Sequence, residues 1–183
     1  MKKLTRDQIF DHILKTEGGF VHHKADAGGP TNFGITEKTL AAFNPGLDIR
    51  KIDSRIAKEI YFEKYWKPMG LELLEGFPEC QLVLFDQGIH RGPTSAIKQM
   101  QNLVREFGEL VDVDGVMGPE TSNAIKRIGN RQLLCNSYLR NSQIFYVQLC
   151  EKKTSQIVFL EGWIRRTHAL SVILESHGSV LAV

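Results

Sequence analysis

The chain has 183 residues, of which 42% are hydrophobic and 24% charged, and a formal net charge of +2. That suits a soluble globular protein of one compact domain, or of one domain with a small appended lobe, whose core needs no disulfide or metal staple. A charge so near zero argues against a broad cationic face for nucleic acid. No apolar run approaches the roughly 20 residues of a membrane span, so stable membrane insertion is not expected either.

The amino-terminal stretch MKKLTRDQIFDHIL has apolar positions interrupted by Asp7, Asp11 and His12, with no hydrophobic signal core. The expectation is a protein that starts out cytoplasmic. Cys80, Cys135 and Cys150 have no metal-type spacing and each falls in an apolar helical stretch, which predicts buried free thiols and folding in a reducing compartment.

The periodicity along the chain is overwhelmingly helical. Thr5 and Gln8 form a capping box ahead of Ile9, Phe10, Ile13 and Leu14, and Gly18-Gly19 stops that helix. From Gly18 to Gly34 five glycines and a proline predict an irregular loop or a short hairpin. Thr36 caps a short helix through Phe43, and Asp53 caps another that runs to about Trp66 and is stopped by Pro68. Leu82 to Ile89 is apolar nearly all round, as a central buried helix is, and Ala96 to Phe107 carries a clean amphipathic stripe. Val111 to Gly115 reads as a short extended piece with a turn, Pro119 opens a further helix, and Arg131 to about Glu175 reads as one long helix with one or two shorter ones. The fold class expected is mainly α, with at most a small β element. The likeliest lobe boundaries are 70–78 and 109–119.

Glu17 is the candidate for chemistry. Spaced by four from Ile13 and Ile9, it shares the face of buried isoleucines and is the last residue before the Gly-Gly break. A carboxyl that resists ionisation because it is poorly solvated is what a glycosidase acid requires. The alternative is a glutamate turned to solvent at a frayed helix end. In the following loop, Asp26 and Thr31 suit the orienting of an attacking water, or equally a turn and a loop hydroxyl.

These residues carry a resemblance. The run Glu17-Gly18-Gly19-Phe20-Val21, followed by Asp26-Ala27-Gly28-Gly29-Pro30-Thr31-Asn32-Phe33-Gly34-Ile35-Thr36, resembles the signature of glycoside hydrolase family 108, the N-acetylmuramidases typified by phage and prophage endolysins. The likeness continues through Tyr61-Phe62-Glu63-Lys64-Tyr65-Trp66, Leu84-Phe85-Asp86 and Gly92-Pro93. Val113 to Thr121 and Gly162 to Arg166 resemble the family's peptidoglycan-binding-like carboxy-terminal portion. Phe20, His22-His23 and Ile89-His90 stand where the family tends to have a tyrosine, aspartates and Val-Asn.

The resemblance implies a lysozyme-like helical fold, with a catalytic region over 1–92 and a peptidoglycan-binding-like helical region over 93–183 packed on it as one compact unit. It makes Glu17 the catalytic acid. The similar spacing in T4-type lysozymes adds Asp26 and Thr31 as the positioners of water in an inverting hydrolysis. Peptidoglycan glycan strands would be the substrate, with no cofactor, and with holin-dependent release to the wall. The alternatives are a peptidoglycan-binding or secretion-assisting protein without turnover, and a lytic transglycosylase.

Asn32, within the signature, is expected to meet substrate. Tyr61, Tyr65 and Trp66 are expected to wall a sugar cleft, with core packing as the alternative. Asp86, inside an apolar helix, needs a partner, which its i+4 neighbour His90 could supply; both are candidate substrate-binding residues. A metal site at His22, His23 and Asp26 is not expected, since adjacent loop histidines rarely converge on one ion. The pair Asp112 and Asp114 lacks the remaining positions of a calcium loop.

Overall fold

The computed structural model describes residues 4–21 and 29–177. They divide into two compact units, Thr5–Pro68 and Met69 onward with Leu4. The sequence reading draws its boundary at 92/93, whereas by contacts the helix ahead of that point groups with the helices behind it.

In the first unit, α1 (Arg6–Glu17) is opened by Thr5, whose hydroxyl accepts from the Gln8 amide while the Gln8 side chain accepts from the Thr5 amide. Gly18 ends it in the left-handed region (φ 80°), its amide returning to the Leu14 carbonyl. Glu17 is therefore held at the last helical position. The chain then forms a hairpin of β1 (Thr31–Asn32) and β2 (Ile35–Thr36), antiparallel with Thr31 opposite Thr36 and Asn32 opposite Ile35. Val21 exchanges both backbone hydrogen bonds with Thr31, at 2.8 and 2.9 Å, adding a bridge on the outer edge of β1.

Thr36 caps α2 (Glu37–Phe43), and Asp53 caps α3 (Ser54–Tyr61). The helix does not stop at Tyr61 but widens into a π turn, Phe62–Trp66, closed by the Lys67 amide on the Phe62 carbonyl at 3.0 Å. Lys58 ties α3 to α1 by reaching Asp7 and Asp11 at 2.6 Å each. Desolvation lowers the pKa of its ammonium, but the bonds from Asp11 and Asp7 outweigh that and leave it raised.

The second unit is built on α4 (Pro78–Arg91), whose residues from Cys80 to Gly88 are all buried. Around it stand α5 (Pro93–Glu106), α6 (Pro119–Arg127), α7 (Arg131–Lys152) and α8 (Ile157–His177). The last third thus holds two long helices of 22 and 21 residues, not one long helix with shorter companions. The break is a single 3₁₀ turn at Thr154–Gln156, too short and too polar to announce itself in the pattern. The Val113–Val116 turn is pinned by buried Gln101, whose amide group donates to Asp114, Val116 and Thr121 and accepts from the Gly115 amide. Among the described residues the cysteines are buried and free, with Cys80 and Cys135 Sγ 3.7 Å apart.

Asp86 is 0% exposed, and both its oxygens accept from Arg166 Nε at 3.0 Å. The partner the sequence suggested was His90, four residues on. His90 faces Tyr146, with Nδ1 2.8 Å from the phenol. Tyr146 donates to Gln87 and Gln87 donates to Asp86, so one buried chain joins α4, α7 and α8. Asp86→Asn should cost about 3–5 kcal/mol, because it removes the charge that the Arg166 guanidinium faces in a poorly hydrated place. A denaturant midpoint giving less than ~1 kcal/mol would show the pair to be peripheral.

Candidate active site

The site is built where the hairpin meets the end of α1. Its two-residue turn is Phe33-Gly34, with φ of 51° and 70°, the left-handed pair of a type I′ hairpin. Glycine adopts this readily; phenylalanine does not, and a bulky residue there signals strain that the surroundings must hold. The holder is Tyr61 at the end of α3, whose hydroxyl donates to the Phe33 carbonyl at 2.8 Å.

Gly34 shows why the turn has this shape. A Cβ on it would lie 2.8 Å from Glu17 Oε2, 2.9 Å from Tyr61 Oη and 3.2 Å from Glu17 Cβ. The bare backbone of the turn thus closes directly over the Glu17 carboxylate. Glu17 is half-buried, neither in the core nor loose in solvent. Tyr65 completes the surroundings. Its ring stacks on Tyr61 with centroids 5.8 Å apart, and its phenol pKa is pushed up by burial first and by the nearby Glu17 charge second.

Of the other residues singled out in the sequence, Thr31 lies half-buried on β1, in the same hairpin that closes on Glu17. Asp26 lies outside the described residues, as do His22 and His23. Asn32, expected to meet substrate, is 5% exposed, and its amide donates to the Ile49 carbonyl at 3.0 Å, which moors the hairpin to the 3₁₀ turn Ile49–Lys51. Trp66, expected in the cleft wall, is 1% exposed and packs on Phe10 with centroids 5.3 Å apart, so it is core. Tyr61 is 3% exposed and works through its hydroxyl, leaving Tyr65, half-buried, as the aromatic able to offer a face to a sugar. Asp86 and His90 belong to the second unit and take part in the chain through Tyr146 described above. Sequence reasoning missed Phe33 and Gly34 as makers of the site. The signal present was Gly34 at the end of a glycine-rich stretch, legible as a turn but silent about what the turn covers.

Gly34→Ala should cut turnover on purified peptidoglycan by about a hundredfold or more, since a shift of an ångström at a catalytic group suffices for that. A variant with wild-type turnover would show that the hairpin does not hold the acid. Tyr61→Phe removes the donor to Phe33 and should lower unfolding free energy by about 1 kcal/mol. An unchanged denaturation midpoint for that variant would contradict the role of the hydroxyl as the hairpin's latch.

Comparison with known proteins places these residues within a matched region. The profile of the family described as Glycosyl hydrolase 108 matches residues 10–92, which contain Glu17, the hairpin and Tyr65. The profile described as Predicted Peptidoglycan domain matches residues 95–168. No curated protein sequence matches the chain. Among solved structures, that of Brucella abortus SagA is similar over 97% of this chain and 97% of its own, at 27% identity and a TM-score of 0.68. Residues 10–92 therefore match the glycosyl hydrolase 108 family and residues 95–168 a peptidoglycan domain, and the chain is a glycoside hydrolase that acts on peptidoglycan.

Proposed function

We propose that the chain is a lysozyme-type N-acetylmuramidase in which Glu17 protonates the oxygen of the β-1,4 bond between N-acetylmuramic acid and N-acetylglucosamine. The observation that carries the assignment is the closure of the Phe33-Gly34 turn on the Glu17 carboxylate beside the half-buried Tyr65. A general acid has to be held in one place at the edge of the substrate and partly screened from water, and those contacts do both.

In the proposed reaction the Glu17 proton passes to the leaving oxygen as the bond from the anomeric carbon breaks. Water adds to that carbon from the opposite face, its proton taken by Asp26 and its position held with the help of the Thr31 hydroxyl. The sugar is released with inverted configuration. Thr31 is supported by its place on the closing hairpin, and Asp26 by its position in the family signature alone. An inverting course requires Glu17 and Asp26 carboxyls about 6.5–9.5 Å apart, to leave room for the water.

The protein would fold in the cytoplasm and reach the wall through membrane lesions made by a holin, as a bacteriolytic prophage enzyme. The buried free thiols support folding under reducing conditions. The resemblance to endolysins supports the route.

Glu17→Gln keeps the shape and removes the proton, and should reduce the release of reducing ends from purified sacculi at least about a thousandfold, a loss typical for an essential acid. Turnover at the wild-type rate would refute the assignment. Mass spectrometry of the fragments reports the course: reducing muramic ends are the expected product, and anhydro-muramic ends would replace hydrolysis by transglycosylation.

A further inference from the structure

The second unit carries a groove of about 720 Å³ that the hydrolytic chemistry does not use. It runs between α5 and α7, from the end of α4, and its volume suits a ligand of a few residues. Its floor is built around Arg91. The guanidinium lies over the Phe145 ring at 4.7 Å and over Tyr146 at 5.7 Å, and one nitrogen donates to Gln99 Oε1 at 2.6 Å. Gln99 is itself fixed, since its amide nitrogen donates to the Tyr138 carbonyl at 2.7 Å and to Ser142 Oγ at 2.9 Å. The cation is thus clamped in place before any ligand arrives. Arg91 Nε is buried without a hydrogen-bond partner among the described residues.

The rest of the lining mixes apolar walls, from Pro93, Ile144 and Phe145, with polar groups. Lys98 adds a second positive charge, and Asn102, Asn141 and Gln148 add side-chain amides, each able both to donate and to accept. Among the described residues no aspartate or glutamate lines the groove, and neither Arg91 nor Lys98 has a carboxylate within ion-pair distance. A cationic concavity edged with amides matches a ligand that alternates carboxylates with peptide bonds.

We infer that this groove binds the acidic peptide stems of peptidoglycan, holding a stem carboxylate between Arg91 and Lys98 while the amides pair with its peptide bonds. The inference rests on the reading of the chain as a wall hydrolase and gives its second unit a defined ligand. A neutral glycan would gain nothing from the paired cations, which is why the peptide and not the sugar is assigned here.

The test titrates the free tetrapeptide L-Ala–D-Glu–meso-diaminopimelate–D-Ala into the full chain carrying Glu17→Gln, followed by nuclear magnetic resonance, with chitotetraose as the neutral probe. Lys98→Glu, at an exposed position, should weaken tetrapeptide binding about tenfold, the effect of losing one charge-assisted contact. The Asn102→Ala/Asn141→Ala double variant should weaken it as well. Lys126→Glu, an exposed charge reversal away from the groove, should leave binding unchanged and so controls for net charge. Matching circular dichroism and denaturation midpoints identify the variants that fold normally.

Equal tetrapeptide binding by folded Lys98→Glu, no tetrapeptide binding by the parent protein, or displacement of the tetrapeptide by chitotetraose would each overturn the inference. The last result would turn the groove into a glycan subsite. Failure of the hydrolase reading shows separately, as wild-type protein that releases no fragments from sacculi.

Discussion

The hydrolase unit depends on how closely a hairpin turn approaches the end of a helix. Glu17 closes α1 because Gly18 can take the left-handed conformation that stops it, and the carboxylate then lies under the backbone of Gly34. A side chain at that turn would push the acid aside. The strained Phe33 beside it is tolerable because Tyr61 accepts the task of bonding its carbonyl, and because Asn32 moors the same hairpin to the 3₁₀ turn that follows. Five residues, at the end of α1, in the hairpin and at the end of α3, therefore act on one carboxylate. None of them need touch substrate to matter.

The second unit solves a different problem. Its central helix is buried on nearly every side, yet it carries Asp86 and Gln87 in that dry interior. They are accommodated by a relay of polar contacts that runs from Arg166 on α8 through both residues to Tyr146 on α7 and on to His90. Burial raises the Tyr146 phenol to about 12, so this hydroxyl stays a donor at any physiological pH and the chain keeps one direction. Trp163 stacks on Tyr146 at 4.9 Å, closing the apolar side of the same junction. A buried charge satisfied this way fixes which helices meet and in what register, whatever its net contribution to stability.

Much of this was readable from residue order. Caps at Thr5, Thr36 and Asp53, the stop at Gly18 and the all-round apolar character of α4 are local signals, and each fell where the pattern placed it. The place of Glu17 as the last residue of α1 was legible, because helical spacing and the glycine break together fix its face; its half-buried depth is set by the hairpin. What escaped was every choice made by tertiary contact. Periodicity sets Tyr61, Tyr65 and Trp66 on one helix, but only packing on Phe10 decides that the tryptophan is core. The i+4 rule offers His90 to Asp86, but the arginine 80 residues away that meets both its oxygens is a pairing no local rule can see. Asn32 reads as a polar loop residue until the carbonyl it meets is known.

The π turn at Phe62–Trp66 makes the length of that segment as significant as its composition. A π turn can be viewed as an α-helix that has absorbed one extra residue. Through it, Tyr61 and Tyr65 end stacked beneath the hairpin while the next residue along, Trp66, enters the core. Removing a single residue would rewind the turn to ordinary helix and rotate everything after it by about 100°. The tryptophan would then leave its seat and the two rings would part company. Relatives of this protein should therefore vary freely in side chain along the solvent side of the stretch while resisting any insertion or deletion within it.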